Sequence, residues 1–276
     1  MLNVNYLLIG HISKDLAEDQ PAGFRLGGGV LYSGAAADAL GAKVGILTSY
    51  PAEMHKNVSD KGLLKKFKIK NFPSRFATTF KNEYKDGSRT QYLYATAAPI
   101  TGHGYLKSEF GYKYFKPSIV QLAPIAREID SSVFNAVKAD FVGATLQGWL
   151  RKRDSKDRVL FSNWPNYRNY LKKLDAAILS EEDIAGDASL AKEFAKYAKV
   201  LVLTRGKDGC SVFEKGNRRD FKPVKVIKKN DVTGAGDVFA AGFFNKFYQT
   251  KNAAIAAKFA NSLAGYHLEK GIENFV

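Results

Sequence analysis

One cysteine, Cys210, is the only thiol in the 276 residues. That excludes an internal disulfide, and its strand-like surroundings point to a packed thiol in a reducing cytoplasm. No apolar run approaches the roughly 20 residues that cross a bilayer, which argues against a membrane partner. Residues 1–10 lack a basic segment and a cleavage site, so they are expected to be a first buried strand and not a signal peptide. The four histidines, His11, His55, His103 and His267, have no metal-ligand spacing. No GxxxxGK[ST] phosphate loop occurs, nor any repeat, low-complexity tract or long flexible linker.

What is present is an ordinary globular composition, 45% hydrophobic and 25% charged, long enough for one large domain over residues 1–276. The net charge of +15 comes from scattered Lys and Arg with small clusters such as Arg151-Lys152-Arg153. A basic field concentrates anions such as ATP, and nucleic acid as well. Without an aromatic-interleaved basic motif, a solvated basic surface is the expectation and nucleic acid is not an expected partner.

Apolar runs of strand length lie at 4–9, 43–48, 118–122, 139–143, 158–161, 176–179 and 199–204. Amphipathic stretches at 124–137, 187–197 and 237–248 fall between or after them. Near-continuous apolar strands alternating with helices predict an α/β fold whose mostly parallel, Rossmann-like sheet is covered on both faces. Residues 76–84 and 89–94, rich in β-branched and aromatic side chains, flank the turn sequence Lys85-Asp86-Gly87-Ser88. This reads as a β-hairpin within about 76–95, either a lid over the ligand edge of the sheet or an extra strand pair packed on the body.

The segment Asn230-Asp231-Val232-Thr233-Gly234-Ala235-Gly236-Asp237 follows a short strand-like stretch at 224–226 and precedes a helix that is apolar all round. Gly234 and Gly236 permit a tight turn and a close ligand, and amides at a helix N-terminus make an anion site. An aspartate there suits phosphoryl transfer to a hydroxyl, which needs a base and donors for the developing charge. A helix-capping Asp after a glycine turn has the same local sequence.

D-x-T-G-A-G-D before an apolar helix resembles the C-terminal signature of the ribokinase-like (PfkB-type) carbohydrate kinases. The resemblance implies Asp237 as catalytic base, with Gly234, Ala235 and Gly236 as the anion hole. It also implies that Asp231 and Thr233 shape the ATP and metal–phosphate region. Leu26-Gly27-Gly28-Gly29 and the following alanine-rich helix ending in Leu40-Gly41 are similar to the family's first signature, so Gly27, Gly28 and Gly29 are expected at the substrate. By the same resemblance Asp15 accepts hydrogen bonds from substrate hydroxyls. The turn at Thr204, Gly206 and Gly209 lies near the nucleotide, and Asn261 lies near adenine.

Two positions depart from the family's pattern. Tyr32 stands where ribokinase-type members carry Asn, which points away from ribose. Ser180-Glu181-Glu182-Asp183 stands for the N-x-x-E element, so Asp183 is the residue expected to order water on magnesium, with Glu182 as the alternative. Gln147, after the strand at 139–143, is a further candidate for substrate hydroxyls, and Arg151 for a phosphate. The expected cofactors are ATP and Mg²⁺, and the resemblance allows a monovalent cation and a homodimer without fixing either. The expected reaction is ATP-dependent phosphorylation of a hydroxyl of a sugar or a cyclitol, with Tyr32 tilting the choice from ribose towards a cyclitol or another sugar. The alternatives are a nucleoside kinase and a non-catalytic nucleotide- or nucleic-acid-binding protein on a kinase fold.

Overall fold

The structure is a computed structural model that describes residues 3–86, 88–226 and 232–271. Strand β1 (Tyr6–Ile9) leads into β2 (Ser13–Leu16) and β3 (Phe24–Gly27), then helix α1 (Gly29–Ala39) and β4 (Val44–Tyr50). Helix α2 (His55–Asp60) precedes β5 (Lys68–Pro73), β6 (Thr79–Lys85) and β7 (Ser88–Ala95). Next come α3 (Gly102–Lys107), β8 (Ile119–Leu122), α4 (Val133–Ala136) and β9 (Phe141–Thr145). Strands β10 (Arg151–Arg153) and β11 (Val159–Phe161) precede α5 (Tyr167–Leu171), β12 (Ala176–Ser180) and α6 (Ala188–Ala195). Strands β13 (Val200–Thr204), β14 (Cys210–Glu214) and β15 (Asn217–Phe221) precede α7 (Ala235–Thr250) and α8 (Ala253–Lys270).

Among the described residues the main sheet runs β15-β14-β13-β12-β9-β8-β1-β4-β5, parallel from β13 to β5 and antiparallel at β14 and β15. Successive side chains of β1 point to opposite faces. Tyr6 and Leu8 join a core with Val30, Phe243, Phe244 and Ala257, so α1, α7 and α8 cover that side. Leu7 and Ile9 join the other core with Tyr105, Leu171 and Phe194 from α3, α5 and α6. Burial on both faces is why the strands read as unbroken apolar runs. Cys210 is buried, and desolvation pushes its thiol up to about 11, which suits the packed role expected of it. Among the described residues no helix is long and apolar enough to cross a membrane.

The expected hairpin is present but not isolated. Strands β6 and β7 pair across a turn where Asp86 adopts a left-handed φ of 50°. They join β2 and β3 in a separate sheet ordered β3-β2-β6-β7, with β2 parallel to β6. The expected participation of 158–161 in the main sheet is not observed. Strand β11 pairs antiparallel with β10, and this second hairpin docks on β7, with Leu93 N–H donating to Asp157 O (2.8 Å).

Three other expectations are corrected. The helix expected over 124–137 shrinks to α4, because the Glu128 carboxylate captures the backbone N–H groups of Ile125 and Ala126 and Arg127 takes a left-handed φ of 60°. Residues 224–226 form no strand; Val224 and Val226 pack over Gly265 of α8 instead. Helix α7 starts two residues before Asp237, with Gly234 as its left-handed cap (φ 79°).

Candidate active site

The three consecutive glycines form a floor that two carboxylates approach, each at its own glycine. A Cβ on Gly27 would stand 2.2 Å from Asp15 Oδ2, and one on Gly29 would stand 2.8 Å from Asp237 Oδ1. Between them Gly28 has φ 102° and passes so close to His11 that a Cβ would fall 2.3 Å from its carbonyl oxygen. Asp15 and Asp237, 222 positions apart in the sequence, thus lie against the first and third glycines of one turn. Ser13 Oγ donates to Asp15 Oδ1 (3.0 Å). Desolvation nevertheless raises the Asp15 pKa, against the lowering pull of Ser13 and of the Arg151 charge.

Asp237 lies in the first turn of α7, where backbone N–H groups have no intrahelical acceptor. Space is open beside Gly236, and the Ala235 N–H reaches only a long contact to Val232 O (3.4 Å). Burial pushes the Asp237 carboxyl up to about 7; Arg151 opposes the rise and Asp183 adds to it. The position of this turn is fixed from below by a buried relay. Tyr6 OH donates to Gln121 Oε1 (2.7 Å), Gln121 Nε2 to Ser33 Oγ (2.8 Å), and Ser33 Oγ to Asp237 O (3.0 Å). The relay links β1, β8 and α1 to the start of α7.

Arg151 enters from the other side, after a turn anchored by Trp149, which stacks on Trp164 (4.6 Å between ring centroids) and donates Nε1–H to Ile129 O (3.1 Å). Its charge acts on both Asp15 and Asp237. It also borders a cavity of ≈ 190 Å³ whose walls combine Phe80, Leu93, Ile125 and Val159 with the basic residues Arg127, Lys152 and Arg153. That cavity lies between the small sheet and the body. Asp183 stands at the end of β12, where its Oδ2 accepts the Ser180 N–H (2.8 Å) and Ser180 Oγ accepts the Asp183 N–H (3.2 Å). The neighbouring Glu182 is exposed and pairs with Arg89 of β7 (3.3 Å), so the hairpin tip reaches across to the body. Among the described residues no three His, Cys, Asp or Glu side chains cluster as a metal site.

The residues expected around the nucleotide gather at the ends of β13 and β15. In the turn 204–209, the Arg205 N–H donates to Gly209 O (2.7 Å), and Gly209 (φ 81°) lies against Phe221 O. Gly206 is left-handed too and open to solvent. Thr204 caps this edge, with its hydroxyl near Leu179 O (3.4 Å). Asn261 Nδ2 donates to Lys222 O (3.0 Å), which ties α8 to the same corner. Asp231 lies outside the described residues.

Residues 167–271 match the family described as pfkB family carbohydrate kinase. The C-terminal part of the chain is thus similar to that family. It is 27% identical over 260 residues to the cytidine kinase of Thermococcus kodakarensis, covering 87% of each chain. It is 31% identical over 148 residues to a nucleoside kinase of Thermoplasma acidophilum, covering 44% of this chain and 51% of that one. Among solved structures, a pyrophosphate-dependent kinase in the ribokinase family, complexed with a pyrophosphate analog and myo-inositol, superposes with a TM-score of 0.80. The identity there is 22%, with coverage of 95% and 94%, and the likeness establishes the ribokinase fold.

Tyr32 packs against the glycine loop. Its ring lies under the glycine loop, where a Cβ on Gly234 would be 2.2 Å from Tyr32 Cδ1, and edge-on to His267. His267 Nε2–H in turn donates to Thr233 O (2.8 Å). Both rings therefore brace the glycine loop from behind, because α1 presents Tyr32 towards α7 and α8. Gln147 is half-buried in the 3₁₀ turn Gln147–Leu150, beside the route to Arg151.

The Tyr6–Gln121–Ser33 relay was not anticipated. Its one sequence signal is Gln121, a polar residue inside the apolar run at 118–122. A second unforeseen brace is His11, buried and held neutral by desolvation, with Nε2–H donating to Ala98 O (3.0 Å) and Nδ1 accepting from the Thr78 hydroxyl (2.7 Å). It joins both flanks of the small sheet.

Proposed function

We propose that this chain is an ATP- and Mg²⁺-dependent kinase in which Asp237 takes the proton from a substrate hydroxyl as that oxygen attacks the γ-phosphoryl group. The observation carrying this reading is the placement of Asp237. It is a desolvated carboxylate with pKa raised to about 7, set in the first turn of α7 and against Gly29, two residues along the turn from the glycine that Asp15 approaches. A base poised near the working pH is at its most effective. Asp15 orients the acceptor, the O–H proton passes to Asp237, the new O–P bond forms, and ADP leaves with the old one. The amides at Gly234, Ala235 and Gly236 meet the charge on the phosphoryl oxygens.

Magnesium prefers phosphate, water and one or two carboxylates to an all-protein cage. The donor set fits such an ion: Asp183, whose carboxylate forms no ion pair among the described residues, is the residue that would address it through water. When bound, the ion neutralises charge on the phosphates. Thr204, Gly206, Gly209, Thr233 and Asn261 supply the nucleotide side, and one kinase unit spans 1–276 in the cytoplasm. The small sheet acts as a lid extending beyond the 76–95 hairpin, closing over the acceptor and excluding water.

A nucleoside is the acceptor favoured here. Apolar walls at Phe80, Leu93, Ile125 and Val159 suit the face of a base better than a ring bearing hydroxyls all round. The relative aligned over most of the chain is a cytidine kinase. With Tyr32 withdrawn behind the loop, the sequence reason for preferring a cyclitol is gone. ATP consumption measured across nucleosides, sugars and inositol, with Asp237→Asn as background, tests both levels. Turnover of cytidine or another nucleoside is the expected result. Turnover of inositol alone would replace the acceptor, and salt-sensitive nucleic-acid binding without turnover of anything would replace the reading altogether.

The pH dependence follows from the same carboxyl. Asp237 is a base only when ionised, so kcat/KM should climb as pH rises through about 7. A pH–rate profile whose acid limb lies near 4 would show that the site is wetter than the structure has it.

A further inference from the structure

Arg151 stands among carboxylates and pairs with none of them. Asp183, Asp237, Glu128 and Asp15 all act on its charge, and Arg89 repels it. Yet among the described residues no carboxylate oxygen lies within the 4.0 Å of an ion pair. Its one protein hydrogen bond runs from Nη1 to Ile125 O at 3.3 Å. The acids around it are engaged elsewhere. Glu128 accepts the N–H groups of His11, Ile125 and Ala126, and Asp183 accepts that of Ser180. A guanidinium drawn out of water with one long hydrogen bond and no ion pair is costly, and its planar fork suits two oxygens of one tetrahedral anion. The remaining donors border the cavity between the small sheet and the body.

We propose that Arg151 is a further catalytic residue, which receives the phosphoryl group in flight between donor and acceptor hydroxyl; this rests on the kinase reading above. The amides of α7 hold that group from one side and Arg151 from the other, so the charge is met in a water-poor space. Arg151 has a second effect in the resting protein. Its charge holds the Asp237 pKa below what desolvation alone would set, which keeps the base available near neutral pH. Asp183, Glu128, Asp15 and Arg89 are the other charged groups facing it, and none of them changes in an Arg151 variant.

Arg151→Gln should lower kcat by about 10²–10³-fold with a small change in acceptor KM, and it should move the acid limb of the pH profile upward. Arg151→Lys should recover part of kcat, since it restores charge without the fork. Added guanidinium ion should rescue Arg151→Gln and leave wild type unaffected. Thermal melts of both variants report whether the fold persists, and Arg151→Lys serves if Arg151→Gln does not fold. Binding of inorganic tripolyphosphate by calorimetry separates this proposal from the kinase reading. It should weaken at least tenfold in the variant even if no acceptor is turned over by wild type. A kcat within threefold of wild type with the acid limb unmoved, or unchanged tripolyphosphate binding, overturns the role.

Discussion

Asp237→Asn is expected to lower kcat by a factor on the order of 10²–10⁴, with both substrates still binding and the fold intact. The amide occupies the same space over Gly29 and keeps a polar group in the first turn of α7, but it cannot take a proton. Steady-state kinetics on the acceptor found in the screen provides the measurement. A loss confined to KM would place Asp237 in binding and leave the base to be sought elsewhere.

The same substitution should act in the opposite direction on stability. Burial raises the carboxyl from its ordinary 3.8 to about 7, so between those values the folded chain keeps a proton that the unfolded chain has released. Its contribution is therefore fully present below about 3.8, declines as pH rises, and is lost above 7. Asn has no such loss. The variant's gain in Tm over wild type should be larger at pH 8 than at pH 5. An equal gain at both would mean that the carboxylate is ionised at little cost in the folded protein.

Gly29→Ala is expected to reduce kcat by about 10²-fold through displacement of the base. The added methyl would stand 2.8 Å from Asp237 Oδ1 and 3.4 Å from Ala123 Cβ, so the carboxylate must move. Gly29 opens α1 with no left-handed φ, hence the backbone itself accepts alanine and stability should change little. Gly27→Ala, whose methyl would meet Asp15 Oδ2 at 2.2 Å, should instead raise the acceptor KM. Kinetics of the two variants beside their thermal melts distinguish the cases. Should Gly29→Ala retain kcat within threefold, the contact between the glycine floor and the base is not the one catalysis uses.

The glycine loop and the alternation of strands were legible because both are local. Residues 234–237 announce an amide-rich helix start whatever surrounds them, and β1, β4, β8, β12 and β13 appear as apolar runs because each is buried on both faces. The misreadings have local causes of another kind. Residues 124–137 have helical periodicity, but the buried Glu128 carboxylate competes for the same N–H groups and wins over most of the stretch. Residues 158–161 look like an interior strand, yet a three-residue run can also pair with β10 and buttress a lid, and nothing in the run itself distinguishes the two. Tyr32 occupies a position where relatives place a substrate contact, but the direction of its ring is decided by α7 and α8.

The sequence by itself determined the fold class, the anion loop with its aspartate, the triple glycine and the exclusion of an internal disulfide. Each depends on backbone freedom, side-chain period or residue count within a short window. Only the tertiary structure decided that Gly27 and Gly29 support two different carboxylates, that Tyr6, Gln121 and Ser33 carry the start of α7, and that Arg151 stands unpaired among four acids. These are matters of desolvation and of charge against charge between residues often more than 100 positions apart. Such energies depend on distance in space and leave no periodicity along the chain.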